Sequence, residues 1–287
     1  MKTIPVRNIV LADSSTGFSE GFSIRDVRKL LDEKDLVQDL HRHNYFYILA
    51  LKKGKGHHEI DFTSYPVRNY SVFFMRPGQV HHLTLKKGST GYLMEFNIDF
   101  YYPQEKLSHQ LMRRASNKNF CALDAKRFEK LLSLLTYIFQ EYKTQQEGYK
   151  EVIKANLSIF FIELVRHRQN HKAADKNINP YSLERLEEFL ELLELHIFQH
   201  KQVSHYADLL HLSPYQLNAI TKEALGKTSS EIITEYSILE SKRYLLATTS
   251  LVNQIAYTMG YEDVSYFIRF FKKHTGYSPE AFRNNFK

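Results

Sequence analysis

Among 287 residues there is a single cysteine, Cys121. One thiol excludes an intramolecular disulfide and a thiolate metal cluster. Long apolar runs are also missing. The longest, around Leu157–Val165, is short and carries Glu163, well under the roughly 18 residues a membrane span needs. The start, MKTIPVRNIV, has no apolar core of the kind a secretory leader carries. The expectation is a cytoplasmic protein with no membrane partner. Basic charge is lacking where the net value would suggest it. The formal charge is +7, yet from Tyr181 onward 11 Lys/Arg stand against 13 Asp/Glu, leaving 28 against 19 upstream. Five of the downstream acids fall between Glu184 and Glu194, inside a helix predicted from Leu183 to about Gln199 and capped by Ser182. Any affinity of the C-terminal part for nucleic acid must come from local placement of charge.

What is present is globular. Hydrophobic residues make up 43%, with 20 Phe and 19 Tyr, and the length suits about two domains. The most telling stretch is Ile255–Arg283, IAYTMGYEDVSYFIRFFKKHTGYSPEAFR. A short helix, Leu251–Met259, buries Ile255 and Ala256. Gly260 follows, where a tight turn needs positive φ, and Asp263 caps the next helix. Phe267, Phe270, Phe271 and His274 form one stripe of that helix, with Ser265, Arg269 and Lys272 opposite and Lys273 at the edge. A helix, a glycine turn and a capped helix with a polar-basic outer face make the helix-turn-helix pattern, whose second helix enters a DNA major groove. An ordinary packed helix pair with a solvated basic face is the alternative.

An internal repeat favours the first reading. Gln202–Thr228 echoes the unit: Ala207 matches Ala256 at an offset of 49, and Leu217, Lys222 and Gly226 match Phe267, Lys272 and Gly276 at an offset of 50. The slip falls in the turn. A long helix, Glu231 to about Ala247, joins the two units and would set their second helices about one DNA turn, roughly 34 Å, apart. In the second unit Arg269 suits a guanine edge, Ser265 a base edge or phosphate, and Lys272 and Lys273 phosphates. For each lysine a solvated surface charge is the competing reading. In the first unit Tyr215, Ala219 and Lys222 point outward, flanked by Gln216 and Asn218.

The glycine turn, D-x-S-Y-F, R-x-F-K-K and G-x-S-P-x-x-F-R stand in order, and the segment resembles the signature of the AraC/XylS family of bacterial transcription regulators. The resemblance covers about 100 C-terminal residues. It implies a double helix-turn-helix domain on double-stranded promoter DNA, RNA polymerase as a partner, activation as the usual outcome, and a homodimer. Where that family usually has arginine and phenylalanine, the first unit has Ala219 and Thr221, and both departures imply weaker direct readout by that helix.

From Asp39 to Phe100 the pattern turns to strands, with turn signals at Lys52–Gly56, Tyr65–Pro66, Pro77–Gly78 and Lys86–Ser89. A short helix is predicted over Asp26–Gln38, and two longer ones over Asp124–Tyr142 and Gly148–Arg168. Val152, Ile159 and Ile162 widen the apolar face of the last, which suits either a partner helix or intradomain packing. The order H-x-H, K-K-G-K-G and P-G-x-x-H resembles the cupin barrel of AraC-family sensors. The fold class is therefore α+β: a cupin-like β-barrel with two following helices (1–170), a polar linker (171–180), and an all-α domain of two helix-turn-helix units joined by a long helix (181–287). A small-molecule effector would sit among His41, His43, Tyr45, Tyr47, Phe74, His81, Met94 and Phe96. His41, His43 and His81 have the makings of a facial metal site, but no glutamate follows H-x-H by four or five residues, and Glu59 and Glu95 are poorly spaced to replace it. No metal, cofactor or catalytic residue is expected. The alternatives are a metal-dependent cupin enzyme fused to a DNA-binding domain, or a constitutive dimeric DNA-binding protein.

Overall fold

The computed structural model describes residues 6–7, 21–101, 106–172 and 179–286. The chain divides into two compact units, one holding the strands and the first four helices, the other the last seven helices. Residues 1–5 and 8–20, and 173–178 of the 171–180 linker, lie outside the described residues. No helix among those described is long and apolar enough to cross a membrane.

The first unit runs β1 (Val6–Arg7), β2 (Phe22–Asp26), α1 (Val27–Leu31), β3 (Leu36–His43), β4 (Phe46–Lys53), β5 (Gly56–Ile60), β6 (Thr63–Val67), β7 (Ser71–Met75), β8 (Val80–Leu85), β9 (Thr90–Phe96), α2 (Lys106–Ser116), β10 (Phe120–Ala122), α3 (Ala125–Thr144) and α4 (Tyr149–Lys172). Two five-stranded sheets result, ordered β1-β3-β8-β5-β6 and β10-β7-β4-β9-β2. Their facing sides enclose Tyr47, Leu49, Phe73, Met75, Leu83 and Leu93 in one apolar interior. The outer side of the second sheet carries Ile48, Phe74, Met94 and Phe96 against Leu135 of α3 and Leu157, Phe160 and Phe161 of α4. Both sides of β4, β7 and β9 are thus buried.

Two expectations are corrected here. The helix predicted over Asp26–Gln38 is only α1, because β3 begins at Leu36. Tyr65–Pro66 is no turn. It lies inside β6, an edge strand, where a missing amide hydrogen is tolerated. The turn before it is Asp61–Phe62, both at positive φ between the Ile60–Thr63 pair, the geometry of a two-residue primed hairpin.

The second unit comprises α5 (Pro180–His196), α6 (Val203–Leu209), α7 (Pro214–Leu225), α8 (Ser229–Ala247), α9 (Val252–Thr258), α10 (Val264–Thr275) and α11 (Pro279–Phe286). Asn179, not Ser182, caps α5, with proline at its first position. The Ser182 hydroxyl instead donates to Glu223 of α7 at 2.6 Å. The repeat holds at the level of hydrogen bonds. Leu212 N donates to Ala207 O in one unit and Tyr261 N to Ala256 O in the other, both at 2.9 Å. Gly260 and His211 take the same left-handed conformation, at φ 75° and 56°.

Arg283 ties α11 to the end of α8. It is buried, and its guanidinium donates to Leu245 O at 2.9 Å and Ser250 O at 2.7 Å. Removing it leaves one buried and one half-buried carbonyl without their charged donor. Arg283→Ala is expected to destabilise the helical unit by roughly 2–4 kcal/mol, read as a lowered thermal midpoint for the loss of its helical signal. A midpoint within a degree or two of the parent would refute this role.

Candidate functional site

Two constellations carry chemistry, one in each unit. In the helical unit, Asp263 accepts from Ser265 N at 2.7 Å and starts α10. Phe267 and Phe271 are buried, with Phe271 against Phe282 of α11 at 5.5 Å between ring centres. His274 leaves the expected apolar stripe: it is exposed and packs on Phe270 at 4.9 Å. The opposite face presents Ser265, Tyr266, Arg269, Lys272 and Lys273 to solvent. The Arg269 side chain is 69% exposed, and its one ion-pair contact among the described residues, with the similarly open Asp263, is long at 3.8 Å. Such a pair contributes little, so the guanidinium is available to a ligand.

The matching face of α7 is poorer than its sequence suggests. Tyr215 is 83% exposed, and Lys222 is also open. Gln216 and Asn218 are occupied. Gln216 closes a capping box with Ser213, accepting from Ser213 N at 2.8 Å while Ser213 accepts in return. Asn218 Oδ1 accepts from Ser229 N at 2.9 Å, at the start of α8. Both side-chain oxygens thus satisfy backbone amides at helix starts, which leaves them less available to bases than Arg269. Thr221, at the position matching Phe271, is buried and paired with the Ser229 hydroxyl at 3.2 Å. The pattern S-x-x-Q at 213–216 was the available sign of the box.

In the barrel, β3, β8 and β5 are neighbours, and their inward sides bring together four histidines. His41 lies opposite His81, His43 is two residues on, and His58 of β5 lies diagonally from His81. A register shift between Gln38 and His41 re-aims β3 here. His41 Nδ1 donates to Asp39 O at 2.7 Å, which leaves its Nε2 as the lone-pair nitrogen. His81 Nε2 stands 2.9 Å from that atom and 2.7 Å from His43 Nε2. His81 Nδ1 meets His58 Nε2 at 2.8 Å. All four rings are buried. Burial, reinforced by the nearby His41, His57 and His82 rings, pushes His58 down to about 3, so it stays neutral.

Tyr45 and Tyr47 join this cluster, their rings 4.4 and 5.3 Å from His43. Tyr45 also donates to the buried Glu95 at 3.2 Å, and Glu95 accepts from Arg25 at 2.8 Å. Burial and Glu95 push the Tyr45 hydroxyl up. Phe74, Met94 and Phe96 do not belong with them. They occupy the outer side of their sheet, under α3 and α4, because residues alternate sides along a strand and their neighbours Phe73, Met75 and Leu93 point inward. The sequence reading omitted His58. Its period-2 relation to the inward Ile60 was the signal that could have found it.

Residues 33–142 match a family model described as an AraC-like ligand binding domain, and residues 206–285 one described as a helix-turn-helix domain. The chain is 24% identical over 256 residues to the uncharacterized HTH-type transcriptional regulator YfiF of Bacillus subtilis, covering 86% of this chain and 79% of that protein. It is 22% identical over 251 residues to the HTH-type transcriptional activator RhaR of Mannheimia succiniciproducens, covering 86% and 87%. The crystal structure of unsaturated fatty acid-bound ToxT from Vibrio cholerae aligns over 95% of this chain and 97% of that one, at 18% identity and a TM-score of 0.44.

Proposed function

The chain belongs to the AraC family of transcription regulators, joining a ligand-binding barrel to a helix-turn-helix DNA-binding domain, and on that premise we propose that α10 reads promoter DNA while α7 mainly positions it. The observation that carries this reading is the open, uncommitted Arg269 guanidinium at the centre of a face that also bears Ser265, Lys272 and Lys273. Tyr215 and Lys222 supply the lesser contacts of the first unit. A 19-residue connector, α8, is about 28 Å long, a length that suits two recognition helices entering successive major-groove segments of one duplex face.

The barrel acts as the sensor. A small-molecule effector engages the residues His41, His43, Tyr45, Tyr47 and His81, and the outcome is activation, the role that the name of RhaR states for that relative, by recruitment of RNA polymerase. The working form is a homodimer built on α4, where Ile159 is exposed and Val152 and Ile162 are only partly covered. The protein acts by binding, without catalysis, in the cytoplasm.

Selection of binding sites from a random duplex pool with the full-length protein tests the proposal. The expected product is one enriched motif, strongest in a single half that binds the second unit. A pool that shows no enrichment over many rounds would overturn it.

A further inference from the structure

We propose that His41, His43 and His81 form a binding site for one divalent transition-metal ion of the borderline class that imidazole favours, such as zinc, cobalt or nickel, with His58 as the residue that positions His81. Three nitrogens each about 2.1 Å from one ion stand roughly 2.9–3.4 Å apart. The three histidines offer ligand nitrogens that all lie within 4.8 Å of one another, and the two separations to His81 Nε2 are 2.7 and 2.9 Å. The remaining separation, between the His41 and His43 nitrogens, is no more than 4.8 Å, and those two rings close toward each other to hold the ion.

The outer contacts have the pattern a metal site requires. A ligating imidazole normally donates its second ring N–H to a carbonyl or other acceptor, which fixes the tautomer and aims the lone pair. His41 does this through Nδ1 to Asp39 O. His81 has the same opportunity through Nδ1, whose neighbour is His58 Nε2. Burial of all four rings keeps water from competing for the nitrogens. Three neutral imidazoles leave the ion its full charge and at least one coordination position for an outside donor, which is the arrangement of open zinc sites. Glu95, linked to the cluster through Tyr45, is already engaged by Arg25 and Tyr45.

The test uses full-length protein stripped with a chelator and titrated with Co2+. The expected result is visible d–d absorption that saturates at one ion per chain and is bleached by one equivalent of Zn2+. X-ray absorption of the cobalt form should show three imidazole nitrogens. His41→Ala and His81→Ala should lose the band, while His82→Ala, on the other side of β8, keeps it. His58→Leu should retain the one-ion stoichiometry with affinity weakened about 10–100-fold. The proposal is overturned by a wild type without the band, by a shell with fewer than three imidazoles, or by a band that survives His41→Ala. The first two outcomes are read on the wild type, so they hold even where a variant fails to fold. No readout involves DNA, and the result is independent of the regulatory reading.

Discussion

Gly260→Ala is expected to unfold much of the second helical unit and abolish promoter binding with it. Two penalties add at this position. Gly260 sits at φ 75°, which costs an alanine about 1–2 kcal/mol. A Cβ there would also lie 1.9 Å from the carbonyl oxygen of Phe198 and 3.0 Å from its carbon. That neighbour is backbone, held between α5 and α6, and it has no flexible end to move aside. Overpacking of this kind costs roughly 1–3 kcal/mol more. A total of about 2–5 kcal/mol corresponds to a fall of more than about 10 °C in the midpoint of a unit this size. Gly276 provides the control. It too is left-handed, at φ 81°, but a Cβ there meets nothing within 4 Å, so Gly276→Ala should cost only the conformational part. Equal midpoints for the two variants would show that the Phe198 contact is irrelevant.

The same glycine shows what a sequence can disclose. Its turn, the Asp263 cap and the Gly276 stop are local features: each is set by one residue and the backbone within a few positions of it, and each was readable. Its counterpart in the first unit, His211, adopts the same conformation with no glycine to announce it. Likewise Asp61–Phe62 makes a hairpin without the usual turn residues, while Pro66, read as a turn, lies on a free strand edge.

The barrel was legible as a class and less so as a site. Alternation reveals a strand's two sides only when one of them is polar. In β4, β7 and β9 both are apolar, one facing the other sheet and one facing α3 and α4. Nothing in Phe73-Phe74 says which ring points inward, and for that reason Phe74, Met94 and Phe96, expected in the pocket, lie on the outer side of their sheet. His41, His43 and His81 were identifiable because H-x-H and P-G-x-x-H stand out as motifs. His58 joins them only through the pairing of β5 with β8, 23 residues from His81 in sequence. Pairings across strands are where one chain read alone loses resolution.

Arg269→Ala should lower affinity for the selected duplex about 5–150-fold, the loss of one bidentate base contact worth roughly 1–3 kcal/mol. It should also relax preference at one base pair. Arg269→Lys keeps the charge but not the planar fork, so it should restore part of the affinity and little of the preference. Lys272→Ala and Lys273→Ala should weaken all sequences alike and reduce the salt slope by about one each. The first unit should behave differently. Lys222 is its one outward cation of this set, and Tyr215 offers apolar contact without a charge. Asn218→Ala should act through stability, since its carbonyl caps α8. Titrations at fixed salt compare these variants directly. The physical point is one of availability: the Arg269 guanidinium is open and held only by a 3.8 Å contact to an exposed carboxylate, so transfer to a guanine edge forfeits almost nothing. Losses of equal size at Arg269, Tyr215 and Lys222 would mean that the two helices share the reading, and the asymmetry argued from the occupied side chains of α7 would be wrong.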